Sequence, residues 1–301
     1  MPSMSAVEPL GGLAETPAAT WAEASFTLSR PSAGSTPLVF ASPHSGRIYP
    51  PAMMAASRLD AIAIRRSEDA WVDRLIEGAS AHGASVIRAD LARVYVDLNR
   101  DERELDPTMF AEPLPDGSHA RTARVAAGLG AIARVVAEGQ EVYARKLTLA
   151  EVRQRLEAAH RPYHAALRGL IEETLAVHGV AVLIDWHSMP AAAARGRAGE
   201  VCDMVLGDRF GAACSPRIAG LVERELSSMG YRVGRNAPYA GGYTTEHYGR
   251  PGRSIHALQI EINRALYFDE EALALTPGFD ALRADLERLF ASLATADWTA
   301  L

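Results

Sequence analysis

Apolar positions along this chain follow two rhythms: short continuous or alternating runs that mark strands, and longer stretches with apolar residues three and four apart that mark helices. From Thr36 the run Pro37-Leu38-Val39-Phe40-Ala41 reads as a buried strand, stopped by the turn Ser42-Pro43-His44-Ser45-Gly46. Residues 84–89 and 93–98 are short and rich in β-branched side chains, so both are expected as strands, the second leading into Asn99-Arg100. The continuous run Val180-Ala181-Val182-Leu183-Ile184 has the signature of a strand covered on both faces and is expected at the centre of a sheet. It leads straight into Asp185-Trp186-His187-Ser188. Further strands are expected at 204–206, 231–233 and 256–264, and in the last of these Gln259, Glu261 and Asn263 share one face.

Helical spacing predicts a helix over 64–82 closed by Gly83, two or three helices across 121–177, one from 215 to 229, and an amphipathic helix over 279–294. Residues 237–252, rich in Gly and Tyr, read as a loop of the kind that often carries function. Strands alternating with helices imply an α/β fold in three layers, with a central mixed, mostly parallel sheet and helices on both faces. Residues 1–35 are expected as an N-terminal tail and 36–301 as a single α/β domain, since no repeat, charge block or linker divides the chain.

Composition narrows the classes. The 301 residues are 48% apolar and carry 31 Lys and Arg against 37 Asp and Glu, a formal net charge of −6. That balance argues against nucleic acid as a partner. No run approaches the roughly 18 apolar residues of a membrane-spanning helix, so no membrane is expected either. With two cysteines, Cys202 and Cys214, and no secretory signal, a cytoplasmic setting is the expectation. Oligomeric state is not readable.

Histidines and acids cluster just beyond strand ends, where open α/β sheets place their sites: His44, Asp97 to Arg100, and Asp185 to His187. A catalytic metal takes about three ligands from His, Asp and Glu and keeps a position open. His44 and His187 are the first two candidates, and the third should be a carboxylate from the pair Glu68-Asp69. These two acids would equally serve as helix N-terminal complements. Asp185 lies two residues before His187, on the same side of a strand, where it would orient that imidazole or act as a cap. Glu261, in an otherwise apolar strand, is placed for general-base work because burial raises a carboxyl pKa; a salt bridge to Arg264 or Arg253 is the alternative. Arg100 would clamp a substrate carboxylate or else bridge to Asp97 or Glu102. No Gly-x-Ser-x-Gly elbow, phosphate loop or dinucleotide fingerprint is present.

Several segments together resemble the N-formylglutamate amidohydrolases, also called N-formylglutamate deformylases. They are Ser42-Pro43-His44-Ser45-Gly46-Arg47, Glu68-Asp69-Ala70-Trp71-Val72-Asp73, Asp97-Leu98-Asn99-Arg100, Asp185-Trp186-His187-Ser188-Met189-Pro190, Gly241-Gly242-Tyr243-Thr244-Thr245 and His256 through Arg264. That family is in turn similar to zinc carboxypeptidases and aspartoacylases, so the resemblance implies a zinc-carboxypeptidase-like fold and one divalent metal, zinc. It implies His44, Asp69 and His187 as ligands, with Asp69 favoured over Glu68, and Glu261 as general base. It gives Asn99 and Arg100 the substrate carboxylate, and it puts Tyr243 or His247 at the substrate. One departure is visible: those peptidases carry a glutamate ligand three residues after the first histidine, where this chain has Arg47. The implied reaction is hydrolysis of N-formyl-L-glutamate, a small acidic substrate, in histidine degradation. Two rivals stand beside it: the same site acting on another N-acyl amino acid or small peptide, and a non-catalytic binder of acidic ligands.

Overall fold

The computed structural model describes residues 25–31, 34–136, 139–196 and 199–298. Seven strands form one sheet: β1 (Phe26–Ser29), β2 (Leu38–Ser42), β3 (Ser85–Ala89), β4 (Ala181–Met189), β5 (Met204–Gly207), β6 (Val233–Arg235) and β7 (Ile255–Asn263). Their order is β1-β3-β2-β4-β7-β5-β6. Pairing is parallel except for β1 against β3 and β5 against β7, so the mixed, mostly parallel sheet read from the sequence is present, with β4 at its centre. A two-stranded ribbon, β8 (Phe268–Asp269) and β9 (Ala274–Leu275), lies apart. β1 falls inside the segment expected as a tail; it is an edge strand of the sheet, and residues 1–24 of that expectation lie outside the described residues.

The helices are α1 (Pro51–Ala56), α2 (Val72–Leu75), α3 (Ala123–Ala126), α4 (Leu149–Arg155), α5 (Arg161–His178), α6 (Pro216–Ser228), α7 (Tyr243–Tyr248) and α8 (Gly278–Ala294). Strand alternation sorts the core into two layers. Val39, Ala41, Leu183 and Ala257 pack with Tyr163, Leu167 and Ile171 of α5 on one face, while Leu38, Phe40, Ile184 and Leu258 pack with α6 and α8 on the other. No described helix is long and apolar enough to cross a membrane. Cys202 and Cys214 are buried and unbridged.

Five local expectations are corrected. The helix expected over 64–82 breaks into a 3-10 turn (Ala63–Ser67), α2, and a second 3-10 turn (Glu77–His82) closed by Gly83 at φ 88. The break falls where Glu68 is extended, the Asp69 N–H donates to the His44 carbonyl at 3.0 Å, and Trp71 is left-handed at φ 62. Residues 93–98 are turns, not a strand, because both edges of β3 are already taken by β1 and β2. The segment 121–148 holds only the short α3, whereas α4 continues through a π-helical turn (Leu156–His160) into α5, with Pro162 just past that turn. Within 237–252 the chain forms α7, and the strand expected at 231–233 sits two residues later as β6.

Candidate active site

On the α5 side of the sheet the strands change character along their length. Leu183 of β4 and Ala257 of β7 lie in the apolar layer; two residues on come Asp185 and Gln259, and two further on His187 and Glu261, all on that same face. β4 and β7 are in parallel register, with Asp185 opposite Gln259 and His187 opposite Glu261. The turn after β2 adds His44, and the broken helix adds Asp69.

These residues converge in a buried group. Asp69 Oδ2 lies 2.9 Å from His187 Nδ1 and 3.3 Å from His44 Nδ1, and the ligand atoms of the three residues fall within 4.8 Å of one another. The far nitrogen of each imidazole faces another carboxylate: His44 Nε2 bonds Asp97 Oδ1 at 2.6 Å, and His187 Nε2 is 3.0 Å from Asp185 Oδ2. The His44–Asp97 bond is the arrangement that orients a metal-ligating histidine, whereas Asp185 makes a close charge contact with His187 and neither of its side-chain oxygens has a hydrogen-bond partner. His44 Nδ1 is buried and has no hydrogen-bond partner, an orphan that a cation between the two imidazoles would satisfy. The donor set of two imidazole nitrogens and one carboxylate therefore fits a divalent metal ion.

Ionisation follows from burial against pairing. Burial alone would raise Asp69, but its contacts with His187 and His44 hold it well below the usual carboxylate range. Burial likewise opposes Asp97, which His44 and Arg93 draw well down. Burial would discharge His187, yet Asp185 and Asp69 raise its pKa well above the ordinary value. Glu261 goes the other way: burial pushes it up to about 7, with Asp69 adding to the rise and His187 and nearby arginines opposing it.

A chain of hydrogen bonds ties Glu261 to the other end of the site. Gln259 Nε2 donates to Glu261 Oε1 at 2.7 Å, and the Gly242 N–H donates to Gln259 Oε1 at 2.8 Å. Asn99 Oδ1 accepts from the Thr244 N–H at 2.7 Å, while its amide nitrogen is 3.1 Å from His187 Nε2. A side chain at Gly242 would not fit, because a Cβ there would lie 2.4 Å from the Asn99 amide. Gly46 is equally required, since its Cβ would come within 2.1 Å of the Leu91 carbonyl oxygen.

The relatives of this sequence decide its family. Residues 36–268 match the model of the N-formylglutamate amidohydrolase family, a span that contains every residue of the site just described. The chain belongs to the N-formylglutamate amidohydrolase family. It is 31% identical over 245 residues to N-formylglutamate deformylase of Pseudomonas aeruginosa, covering 79% of this chain and 85% of that one. The corresponding protein of Pseudomonas putida is 30% identical over 241 residues, covering 79% and 84%. The crystal structure of N-formylglutamate amidohydrolase from Ralstonia eutropha JMP134 superposes with a TM-score of 0.85 at 38% identity, covering 90% of this chain and 97% of that one.

In this member of the N-formylglutamate amidohydrolase family the site opens into a cavity of about 550 Å³, lined by His44, Asp69, Asn99, Arg100, His187 and Glu261 among others. That is ample for a small ligand. Five of the residues proposed from sequence thus meet there with Arg100, and Asp185 stands behind His187. Glu68 does not join them: it accepts from Tyr49 Oη at 2.6 Å and pairs with Arg65 at 3.0 Å, because the extended backbone at Glu68 turns successive side chains apart. Tyr243 and His247 are also elsewhere. Both lie on α7, stacked on each other, with Tyr243 beside His164 of α5, and the part of that loop reaching the cavity is Pro238 to Gly242. Arg100 bridges neither Asp97 nor Glu102; its Nε and one terminal nitrogen donate to the carbonyls of Leu129 and Asn99.

Arg47, three residues after His44, makes a two-pronged pair with Asp73 at 2.9 and 2.8 Å and stacks on Trp71, fastening the His44 turn to the Asp69 segment. Arg93, Gln259 and Arg264 escaped the sequence reading as site members. Arg93 pairs with Asp97 at 2.8 Å, and Arg264 reaches Asp69 at 3.0 Å and Ser188 Oγ at 3.0 Å, so the latter's bridge is to Asp69 and not to Glu261. The four-residue spacing of Arg93 and Asp97, and the shared strand face of Gln259 and Glu261, were the available signals.

Proposed function

We propose that this chain is a metal-dependent N-formylglutamate deformylase, hydrolysing the formamide of N-formyl-L-glutamate to L-glutamate and formate. The observation that carries this reading is that Glu261, with its pKa raised by burial, and Arg100 face the same cavity as the buried His44, Asp69 and His187 group. The names of the relatives support the substrate. A divalent cation held by His44, Asp69 and His187 would supply Lewis-acid polarisation of the formyl oxygen and ready ionisation of a water, and this donor set suits zinc.

The protein's own groups do the rest. Glu261 accepts the proton that the attacking water loses, then donates it to the amine nitrogen as the C–N bond breaks; formate keeps the water oxygen and glutamate the proton. Gln259 fixes the carboxylate by donating to its Oε1. Asn99 and Arg100 hold the substrate carboxylate beside the scissile amide, with Arg100 pre-oriented by its two backbone carbonyl contacts. Histidine degradation is the context that the family resemblance implies for this reaction, and the two unbridged cysteines accord with a reducing, cytoplasmic setting.

The test is formate release from N-formyl-L-glutamate by purified protein, before and after chelation and after zinc is restored, with N-acetyl-L-glutamate in parallel. Release that stops on chelation and returns with zinc is expected. Release from the acetyl compound alone would favour an amidohydrolase of different acyl specificity, and no release from either by zinc-replete protein would leave a binder of acidic ligands.

A further inference from the structure

The cavity is lined by five arginines, Arg66, Arg93, Arg100, Arg124 and Arg264. Arg93 and Arg264 are held by site carboxylates, at 2.8 Å to Asp97 and 3.0 Å to Asp69, and Arg66 also has a partner. Arg100 and Arg124 differ. Arg100 donates only to backbone carbonyls. The Arg124 guanidinium lies 3.6 Å from Glu104 and 4.0 Å from Glu246, both too long for a hydrogen bond, and the facing Glu104 Oε2 is buried without a partner. After burial and the opposing pull of Asp97, the charges of Arg93 and Arg124 depress the Arg100 pKa, so Arg124 is within electrostatic reach of Arg100. Two guanidiniums thus line one cavity, Arg124 in long ion pairs with Glu104 and Glu246, and neither is bound to a carboxylate by a close hydrogen bond, which leaves donors for an anionic ligand. The same cavity is also lined by apolar side chains, Leu129, Ala133, Val135 and Val136, suited to methylenes.

Resting on the deformylase reading, we infer that Arg124 is a specificity-determining residue that receives the side-chain carboxylate of the substrate, while Arg100 and Asn99 take the carboxylate next to the amide. The placement of the residues accords with this division. Asn99 touches His187 at 3.1 Å, which puts Arg100 at the reacting end, and Arg124, from the separate α3 segment, lines the same cavity. A dicarboxylate with a short aliphatic spacer offers one carboxylate to each arginine, whereas a neutral side chain would leave Arg124 only its long contacts with Glu104 and Glu246.

The experiment compares kcat/KM for N-formyl-L-glutamate and N-formyl-L-glutamine in the zinc-loaded wild type, Arg124→Gln and Arg124→Lys, with Tm as a folding check. The glutamate-over-glutamine ratio is expected to fall about 10- to 100-fold in Arg124→Gln, the scale of losing one charge-assisted pair, and to recover in part in Arg124→Lys. An unchanged ratio in a folded Arg124→Gln protein overturns the assignment. Wild-type protein inactive on both compounds would instead reject the deformylase reading beneath it.

Discussion

Asp97 closes on His44 with 2.6 Å between Oδ1 and Nε2, and by doing so turns His44 Nδ1 towards Asp69. The carboxylate thus decides which nitrogen is offered to a cation. Asp97→Asn keeps the shape but loses the charge that supports the imidazole N–H and pairs with Arg93. Zinc affinity is expected to fall about 10- to 100-fold, measured by competition with a chromogenic chelator. Affinity equal to wild type would show that Asp97 does not act through His44.

Glu261→Gln removes the proton acceptor while an amide can still meet Gln259. Zinc content should match wild type and turnover should drop roughly 10²-fold or more. The base works deprotonated, so kcat/KM must fall with acid. Burial holds Glu261 at about 7 against an ordinary 4.5, and a neighbouring cation draws it back down, so the acid limb should lie between those values. A limb above about 7, or one that persists in Glu261→Gln, would assign it to another group.

His187 presents a different sign. Its pKa is raised by Asp185 and Asp69 despite burial, so the metal-free site favours a proton there. A ligating imidazole must lose it. Zinc affinity should therefore weaken as pH falls, about tenfold per unit for each proton displaced, and calorimetry in buffers of different ionisation enthalpy should register proton release. Affinity independent of pH from 6 to 8 would contradict the His187 ligand role. The same raised pKa means that in metal-free protein the His187 contribution to stability is present at low pH and is lost as pH climbs through the folded-state value.

Gly242→Ala tests the link between α7 and the substrate end. The new Cβ would displace the Asn99 amide, which also bonds Thr244 and reaches His187. A shift of about 1 Å there is expected to lower kcat/KM up to 10²-fold with little change in zinc content. Wild-type kinetics would mean that the Asn99 position is immaterial.

What the sequence made legible followed from burial. β2, β4, β7, α6 and α8 bury whole faces, so their periodicity shows, and His44, His187 and Glu261 stand out as polar residues where those faces should stay apolar. The helix expected over 64–82 was misread because tertiary bonds, the Asp69 N–H to the His44 carbonyl and the Arg47 pair with Asp73, override the local pattern. Tyr243 was misplaced for a similar reason, since the start of α7 at Gly242 turns it onto α5. Arg124 and Arg264 gave no periodic signal at all; only the folded chain brings them to the cavity.

The buried carboxylates outnumber the arginines paired with them. Asp69, Asp97, Asp185 and Glu261 share the site with Arg93 and Arg264, which pair with Asp97 and Asp69, while Arg100 donates to backbone carbonyls. On the metal-dependent reading, a divalent cation would take up the excess negative charge, and the protons favoured by the raised pKa of His187 and of Glu261 would leave as it loads. Loading the ion and freeing the base would then be one exchange, in a place too dry to tolerate a large imbalance of charge.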